Sequence, residues 1–322
     1  MSAAGGLPRA VERAVVVGCA TLQVFTKNSN QWAGKPLGAD EAEAFQVAAA
    51  KAGISPLAAH SAYLINLGSP DPGIRERSVL ALADEIDRCD RLGIPFLVLH
   101  PGSHGGDGEE TGLDRVARGL DAAAVRTPGS RTLVLLESAA GQGFCLGHTF
   151  EHLREILRRS DSRDRLAICM DTCHLHAAGH DLVSLEGWRR MMNALDENLG
   201  LESVKVIHAN DSRKERGCRV DRHERIGLGF LGESAFTNLM TEPAFEHIPK
   251  ILETPKDETG EWDRLGLAVL RRLAKGTGQK APARTATAEI PRPPGSPASS
   301  TSSRRSRPRS PGKKPPARRS SP

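Results

Sequence analysis

Short apolar runs recur along the chain and alternate with segments of helical periodicity. The runs are rich in branched aliphatic residues and bounded by polar residues, glycine or proline, which is typical of buried parallel strands. They cover residues 21–26, 55–60, 95–100, 132–137, 166–171, 204–209 and 249–254. Intervening segments such as 78–92 and 148–159 carry apolar residues at three- and four-residue spacing, which predicts helices. Strands that alternate with helices predict βαβ units, and we expect an α/β protein with the (β/α)8 TIM-barrel architecture.

Metal-binding side chains stand at or next to the ends of six consecutive runs, 34 to 45 residues apart. They are His60, His100, Glu137, Asp171, His208 and Glu253. One histidine at a strand end is more often a hydrogen-bonded core residue than a ligand. Six residues in register are different, because the strands of a parallel barrel all end on the face that carries the active site. The pattern therefore predicts a metal centre on that face.

Three further candidates lie just beyond predicted strand ends. His174 follows Asp171 by three residues, and Asp221 and His223 are two residues apart, which in extended chain points both side chains the same way. The full set of five histidines and four carboxylates suits zinc, with one position that accepts manganese. Nine ligands are too many for one ion and fit two or three. We interpret the nearby Cys169 and Cys173 as packing residues.

Clustered divalent ions favour hydrolysis of phosphate esters, because they activate water and neutralise charge on the attacking and leaving oxygens. The chain has no GxxxxGK[ST] phosphate loop and no G-x-G-x-x-G after a strand. A metal-dependent phosphoesterase is therefore the first hypothesis. Metal-dependent sugar isomerases are the main alternative, since they also place histidines and carboxylates at barrel strand ends.

Several segments resemble signatures of the endonuclease IV family of apurinic/apyrimidinic endonucleases, and the resemblance extends over about residues 2–270. These segments are residues 25–28 (FTKN), 60–67 (HSAYLINL), 99–104 (LHPGSH), 137–143 (ESAAGQG), 171–174 (DTCH), 219–223 (RVDRH) and 251–254 (ILET). All nine candidate ligands match the ligand positions of that family.

The resemblance implies a TIM barrel that holds three zinc ions, with Glu137 bridging the first two. The implied ligands of the first ion are His60, His100 and Glu137. Those of the second ion are Glu137, Asp171, His208 and Glu253, and those of the third are His174, Asp221 and His223. The residues expected to be catalytic are Glu137, Asp171 and Glu253. The implied reaction cleaves double-stranded DNA on the 5′ side of an abasic site, leaves a 3′-hydroxyl, and extends to trimming of blocked 3′ ends.

The resemblance also suggests residues that bind DNA. Tyr63 matches a family residue that inserts at the lesion, although a packing aromatic is the alternative interpretation. Lys27 and Asn30 lie in the segment that resembles a DNA-contacting loop, where the family often has arginine in place of Asn30. Basic residues near other loops are candidate phosphate contacts. They are Arg75, Arg213 and Arg222.

The chain departs from the family pattern at its start. Residues 2–7 (SAAGGL) follow Met1 directly, where family members have a first strand that ends in Gly-Ala-His. We therefore expect a barrel that lacks its first strand and has two open edges. Either the natural start lies upstream, or the chain folds with a gap. A third hypothesis follows, in which the loss of this strand leaves a protein that binds abasic DNA but cleaves it poorly.

Charge divides the chain into two parts. Residues 274–322 hold a formal charge of +11 in a segment rich in proline, serine and arginine, whereas residues 1–273 hold −6. We expect residues 1–273 to form the barrel and residues 274–322 to form a disordered tail, because the tail has too few apolar residues to form a core. The six scattered cysteines favour a reducing compartment, and no apolar stretch spans a membrane. We expect a monomer inside the cell, in the cytoplasm or nucleoid of a bacterium or the nucleus of a eukaryote.

Overall fold

A computed structural model describes residues 1–276 of the 322-residue chain. Within these residues a seven-stranded parallel sheet has the order β1-β2-β3-β4-β5-β6-β9. Its strands are β1 (Leu22–Val24), β2 (Leu57–His60), β3 (Phe96–Leu99), β4 (Leu133–Glu137), β5 (Leu166–Asp171), β6 (Val204–His208) and β9 (Lys250–Ile251). A separate antiparallel pair is formed by β7 (Asp211–Ser212) and β8 (His223–Glu224). The predicted TIM-barrel class is confirmed, and each predicted strand contains an observed one.

Helices surround the sheet and connect its strands. They are α1 (Leu7–Val17), α2 (Ala39–Ala52), α3 (Pro72–Leu92), α4 (Glu109–Arg126), α5 (Phe150–Arg159), α6 (Thr172–Ala178), α7 (Leu185–Leu199), α8 (Gly232–Thr241) and α9 (Glu261–Ala274). Short 3-10 helices span Arg163–Arg165, Leu201–Ser203 and Pro243–Phe245. The predicted helical segments 78–92 and 148–159 correspond to α3 and α5. In the described part of the chain, no helix is both long enough and apolar enough to cross a membrane.

Alternation along the strands separates two apolar layers. Leu97 and Leu99 of β3 pack outward in the large cluster between sheet and helices, whereas Val98 packs inward. The inward layer is small and fills the barrel interior. Its members are Ala58, Val98, Leu135, Ala167, Cys169, Val206 and Ile251. Because side chains alternate between faces, the residue two positions after an inward residue also points into the barrel. Glu137 lies two residues after Leu135, so its side chain points into the barrel.

The sheet is open between β1 and β9, so within residues 1–276 the expected seven strands and two unpaired edges are confirmed. A groove of about 340 Å³ separates these edges. The helical layer does meet beside the gap, because α1 contacts α9 and the Arg271 guanidinium donates to the carbonyl of Gly18. The amino group of Met1 donates to the carbonyl of Gln23 on β1 at 2.6 Å.

The final described helix ends at Ala274. The predicted tail, residues 274–322, lies outside the described residues from 277 onward. Its disorder and its separation from the barrel stay predictions.

Candidate metal centre

Glu137 lies at the middle of a buried cluster at the carboxyl ends of the strands. It is the last residue of β4 and has no exposed surface. Its Oε2 lies 3.2 Å from Nε2 of His60 and 3.5 Å from Nε2 of His100. Its Oε1 lies 2.9 Å from Nδ1 of His208 and 3.4 Å from Nδ1 of His174. One carboxylate thus meets four of the five predicted histidines.

A second group of ligands forms where β5 passes directly into α6. Asp171 ends β5 and caps α6, with its Oδ1 accepting the backbone N–H of His174 at 2.8 Å. This cap places His174 in the first turn of α6, with its Nε2 3.3 Å from Asp221 Oδ2. Asp221 Oδ1 lies 3.1 Å from Nε2 of His223, and the Asp221 N–H donates to Gln142 Oε1 at 2.6 Å.

Glu253 joins the cluster from the far edge of the sheet, two residues beyond β9. Its Oε2 lies 3.1 Å from Nδ1 of His208. Its backbone N–H donates to Oδ1 of Asn210 at 2.8 Å, and Asn210 Nδ2 donates to Asp171 Oδ2 at 2.6 Å. The structure therefore brings all nine predicted ligands into one continuous cluster.

Hydrogen bonds fix the orientation of four histidine rings. His60 and His174 each donate from Nδ1 to a backbone carbonyl, that of Ser61 or Ser138, at 2.8 Å. Because a carbonyl only accepts, the neutral form of each ring keeps its lone pair on Nε2.

The other two rings follow the same rule. His223 donates from Nδ1 to the Glu253 carbonyl at 3.2 Å, which in the neutral ring leaves the lone pair on Nε2. His208 donates from Nε2 to Oε1 of Gln23 at 2.9 Å, which leaves Nδ1 to face the carboxylates. Such outer hydrogen bonds are how proteins orient metal-ligating imidazoles.

The donor set fits divalent transition-metal ions. His60, His100 and Glu137 each offer one ligand atom within 4.8 Å of the others, and so do Asp171, His174 and His223. These are the nitrogen and carboxylate oxygen ligands that zinc and manganese accept. Four carboxylates packed together need compensating positive charge, which bound cations supply.

The cysteines near this centre are protonated. Cys169 and Cys173 are completely buried, and burial raises the pKa of each thiol to about 12. A thiol binds metal as the thiolate, so protonation favours the packing interpretation. All six cysteines of the chain are free.

Electrostatic coupling shifts the pKa values of the ligands in the metal-free cluster. Burial opposes charge on Glu253, but the attraction of His208 lowers the pKa of Glu253 to about 2. Burial also opposes charge on His223, yet its hydrogen bond to Asp221 raises the pKa of His223 to about 9. For His100 burial prevails over nearby carboxylates and lowers the pKa to about 4. At neutral pH the His223 ring therefore carries a proton, whereas the His100 ring is uncharged.

The predicted DNA-binding residues differ in their surroundings. Tyr63 is 58% exposed at the rim of the cluster, where its ring contacts those of Phe25 and His60. Asn30 is exposed on the loop after β1. The Lys27 side chain is only 1% exposed, and its Nζ lies 2.9 Å from Asp84 Oδ2. Burial gives Lys27 a structural ion pair, and a phosphate contact there stays a prediction.

The candidate phosphate contacts also have intramolecular partners. Arg75 donates to the carbonyls of Ser69 and Pro70. Arg213 is half-exposed, with its Nε 3.1 Å from Glu224 Oε2. The Arg222 side chain donates to the carbonyl of Asp221, the neighbouring residue.

A groove of about 330 Å³ opens beside the cluster. Tyr63, His100, His174 and Asp221 are among the residues that line it. The candidate ligands therefore adjoin an open cavity at the strand-end face.

Sequence reasoning missed two residues that hold the candidate ligands in place. Gln23 bonds His208 and donates from Nε2 to Glu253 Oε1 at 2.8 Å, and Asn210 connects Asp171 to Glu253. A signal for Gln23 was present, since it is a lone polar residue within an apolar strand. Asn210 follows His208 by two residues, which places both on one side of an extended chain.

Comparison with known proteins agrees with this architecture. Residues 11–273 match the AP endonuclease 2 family, described as a xylose isomerase-like TIM barrel. The chain is 46% identical over 277 residues to the probable endonuclease 4 of Chloroflexus aggregans, covering 86% of this chain and 97% of that protein. The crystal structure of endonuclease IV from Thermus thermophilus matches with a TM-score of 0.77 and 35% identity, over 86% of this chain and 97% of that one.

A D-tagatose 3-epimerase-like protein matches with a TM-score of 0.65 but only 18% identity, which reflects the shared fold alone. The fold and the cluster together define a xylose isomerase-like TIM barrel with a candidate centre for several metal ions. Within that class, the chain belongs to the endonuclease IV family. The resemblance found in the sequence is confirmed, and the sugar-isomerase alternative is not favoured.

Proposed function

We propose that this chain is a zinc-dependent endonuclease that hydrolyses the phosphodiester 5′ to an abasic site in double-stranded DNA and leaves a 3′-hydroxyl. The same proposal includes trimming of blocked 3′ ends of DNA, and it assigns both activities to a monomer. The observation that carries it is the contact of Glu137 with four histidines beside an open groove. Membership of the endonuclease IV family supports the choice of reaction.

Three ions would be held by the nine clustered side chains. His60, His100 and Glu137 form the first group of ligands. The second group would share Glu137 with the first, and the third group would lie around Asp221. Bound divalent ions supply Lewis acidity, which activates water at neutral pH and neutralises charge at a phosphate. The chain supplies the orientation, since His60, His174, His208 and His223 are each fixed by an outer hydrogen bond.

Exposed residues at the rim would position the substrate. An abasic nucleotide turns out of the duplex at low cost because no base pair must be broken. The 330 Å³ groove between Tyr63 and His174 has room for such a sugar. Tyr63 presents an exposed ring beside the groove, where it can pack against the bases that flank the lesion.

The test is incision of a labelled duplex that carries one abasic site, with bound zinc measured on the same samples. Glu137→Gln should lower incision by at least about 100-fold and reduce the zinc content, because the amide is a weaker ligand and meets four histidines. Glu43→Gln is the matched control, since Glu43 is an exposed residue of α2. It should retain activity and zinc.

Outcomes of this assay separate the hypotheses. Full incision by Glu137→Gln would contradict the proposed role of the cluster. If the unsubstituted chain holds zinc and binds abasic DNA without cutting it, the binding-protein hypothesis replaces the endonuclease proposal. Cleavage of undamaged duplex at the same rate would contradict the proposed lesion specificity.

A further inference from the structure

A second group of metal-binding side chains lies outside the nine-residue cluster. Glu109 begins α4, His152 lies in the first turn of α5, and His148 lies in the loop before α5. His152 Nε2 is 3.3 Å from Glu109 Oε2, and the rings of His148 and His152 are 4.7 Å apart between centroids and nearly perpendicular. One ligand atom from each of the three lies within 4.8 Å of the other two.

Hydrogen bonding leaves a lone pair available on His148. Its Nδ1 donates to the carbonyl of Cys145 at 3.0 Å, so its Nε2 carries no proton when the ring is neutral. The ring is partly exposed, so an ion can reach it from solvent.

Metal binding at His152 requires its ring proton to move from one nitrogen to the other. Its Nδ1 accepts the Gly147 N–H in a long contact of 3.4 Å, so its proton is on Nε2 and points to Glu109. When a cation binds Nε2, that proton transfers to Nδ1 and the contact with Gly147 is lost. Burial lowers the pKa of His152, which keeps the ring uncharged and able to bind.

We propose that Glu109, His148 and His152 form a separate mononuclear site for a divalent transition-metal ion such as zinc. Two imidazoles and one carboxylate are a zinc ligand set, with water completing the coordination. Calcium and magnesium prefer sites made entirely of oxygen ligands, so the two histidines select against them.

An ion at this site would fasten the loop between β4 and α5 to the start of α4. The same loop supplies the Ser138 carbonyl to His174 and the Gln142 side chain to Asp221. Gly141 of this loop also lies against His148, where an added Cβ would come within 3.4 Å of the His148 Cβ. The proposed ion is therefore structural, and it acts on the nine-residue cluster through loop position.

The experiment counts zinc in the intact protein. Unsubstituted chain, His148→Asn, Glu109→Gln and His247→Asn are purified with their zinc and dialysed against buffers of increasing free zinc, from nanomolar to micromolar. His247 is an exposed histidine distant in sequence from the site and serves as the matched control. The unsubstituted chain and His247→Asn should bind one zinc ion more than the other two variants.

Crystals grown at the highest zinc concentration give an independent measurement. An anomalous peak at the zinc edge should lie among Glu109, His148 and His152, and it should vanish in His148→Asn while the peaks of the nine-residue cluster remain. Equal zinc content in all four proteins, or a peak elsewhere, would overturn the proposal. A fall in melting temperature of His148→Asn without zinc loss would also overturn it, because the residue would then be structural on its own.

Discussion

At the scale of single residues, Gln23 shows how the chain prepares its histidines. Its Oε1 accepts a hydrogen bond from His208 Nε2, and its Nε2 donates to Oε1 of Glu253. One amide on the first edge strand therefore orients a ligand from β6 and another from beyond the opposite edge. Both hydrogen bonds of the Gln23 side chain go to predicted ligands, so we interpret Gln23 as a positioning residue.

Gln23→Ala should weaken metal binding by roughly 10- to 100-fold, the usual cost of losing an outer hydrogen-bond partner of a ligand. The substitution leaves His208 Nε2 without an acceptor and frees the Glu253 carboxylate to move. Competition with a zinc chelator of known affinity measures the change. Incision assayed with saturating zinc should recover in part, because the ligands themselves remain.

Gln46→Ala is the control for this prediction. Gln46 is exposed on α2 and donates to the carbonyl of Arg91, far from the ligands. It should bind zinc like the unsubstituted chain. Unchanged zinc affinity in Gln23→Ala would show that the two hydrogen bonds contribute nothing to the site.

At the scale of elements, strand alternation explains how much of the site the sequence predicts. Inward residues on β4 and β5 alternate with outward ones, and Leu135 and Cys169 point into the barrel. Glu137 and Asp171 each follow one of them by two residues, so they also point inward, at the carboxyl end of the barrel. The seven strands were predictable because each run is mostly apolar and is bounded by polar residues, glycine or proline.

The elements that the pattern missed are short or depend on distant partners. The β7–β8 pair has two residues in each strand, too few for an alternating apolar pattern to be recognised in the sequence. Its pairing joins Asp211 to Glu224 and Ser212 to His223 across the intervening loop. The burial of Lys27 was also not predictable, because its partners Asp84 and Glu85 belong to α3, far along the chain.

Acidification should release metal from one group of ligands before the other. In the metal-free chain, hydrogen bonding and carboxylate attraction raise the pKa of His174 and bring that of His223 to about 9, despite burial. A proton on such a ring must be displaced before a metal binds, so affinity falls about tenfold per pH unit for each proton taken up below that pKa. Burial lowers the pKa of His100 to about 4, so protons compete for that ring only below about pH 4, although the hydrogen bond to Glu137 raises the pKa of His60 beside it despite burial.

Zinc content after dialysis at pH 8, 7, 6 and 5 measures this order. One equivalent should leave first, and His223→Asn should lack that equivalent already at pH 8. Simultaneous loss of all zinc, or earlier loss from the His60 and His100 side, would contradict the assignment.

At the scale of the whole molecule, the candidate metal centre lies above an open barrel. The sheet ends at β1 and β9 without a hydrogen bond between them in residues 1–276, and the edges are linked only by side chains and helices. The nine ligands come from β2 around to the residues after β9. Ions bound among them would join segments from both sides of the opening.

Removal of metal should therefore destabilise the entire fold. A ligand present at 1,000 times its Kd stabilises the folded state by about 4 kcal/mol, and several ions add to this. For a chain of this size each kcal/mol shifts the melting temperature by about 2–4 °C, so exhaustive chelation should lower it by about 10 °C or more. Thermal unfolding followed by circular dichroism checks this value before and after chelation, and added zinc should restore it.

Glu137→Gln distinguishes this effect from a direct action of the chelator. The variant lacks the carboxylate that contacts four histidines, so its melting temperature should already be low and should fall less on chelation than that of the unsubstituted chain. An equal fall in both proteins would mean that the chelator acts elsewhere. An unchanged melting temperature in the unsubstituted chain would mean that β1 and β9 are held by the helical layer alone, through contacts such as that of Arg271 with Gly18.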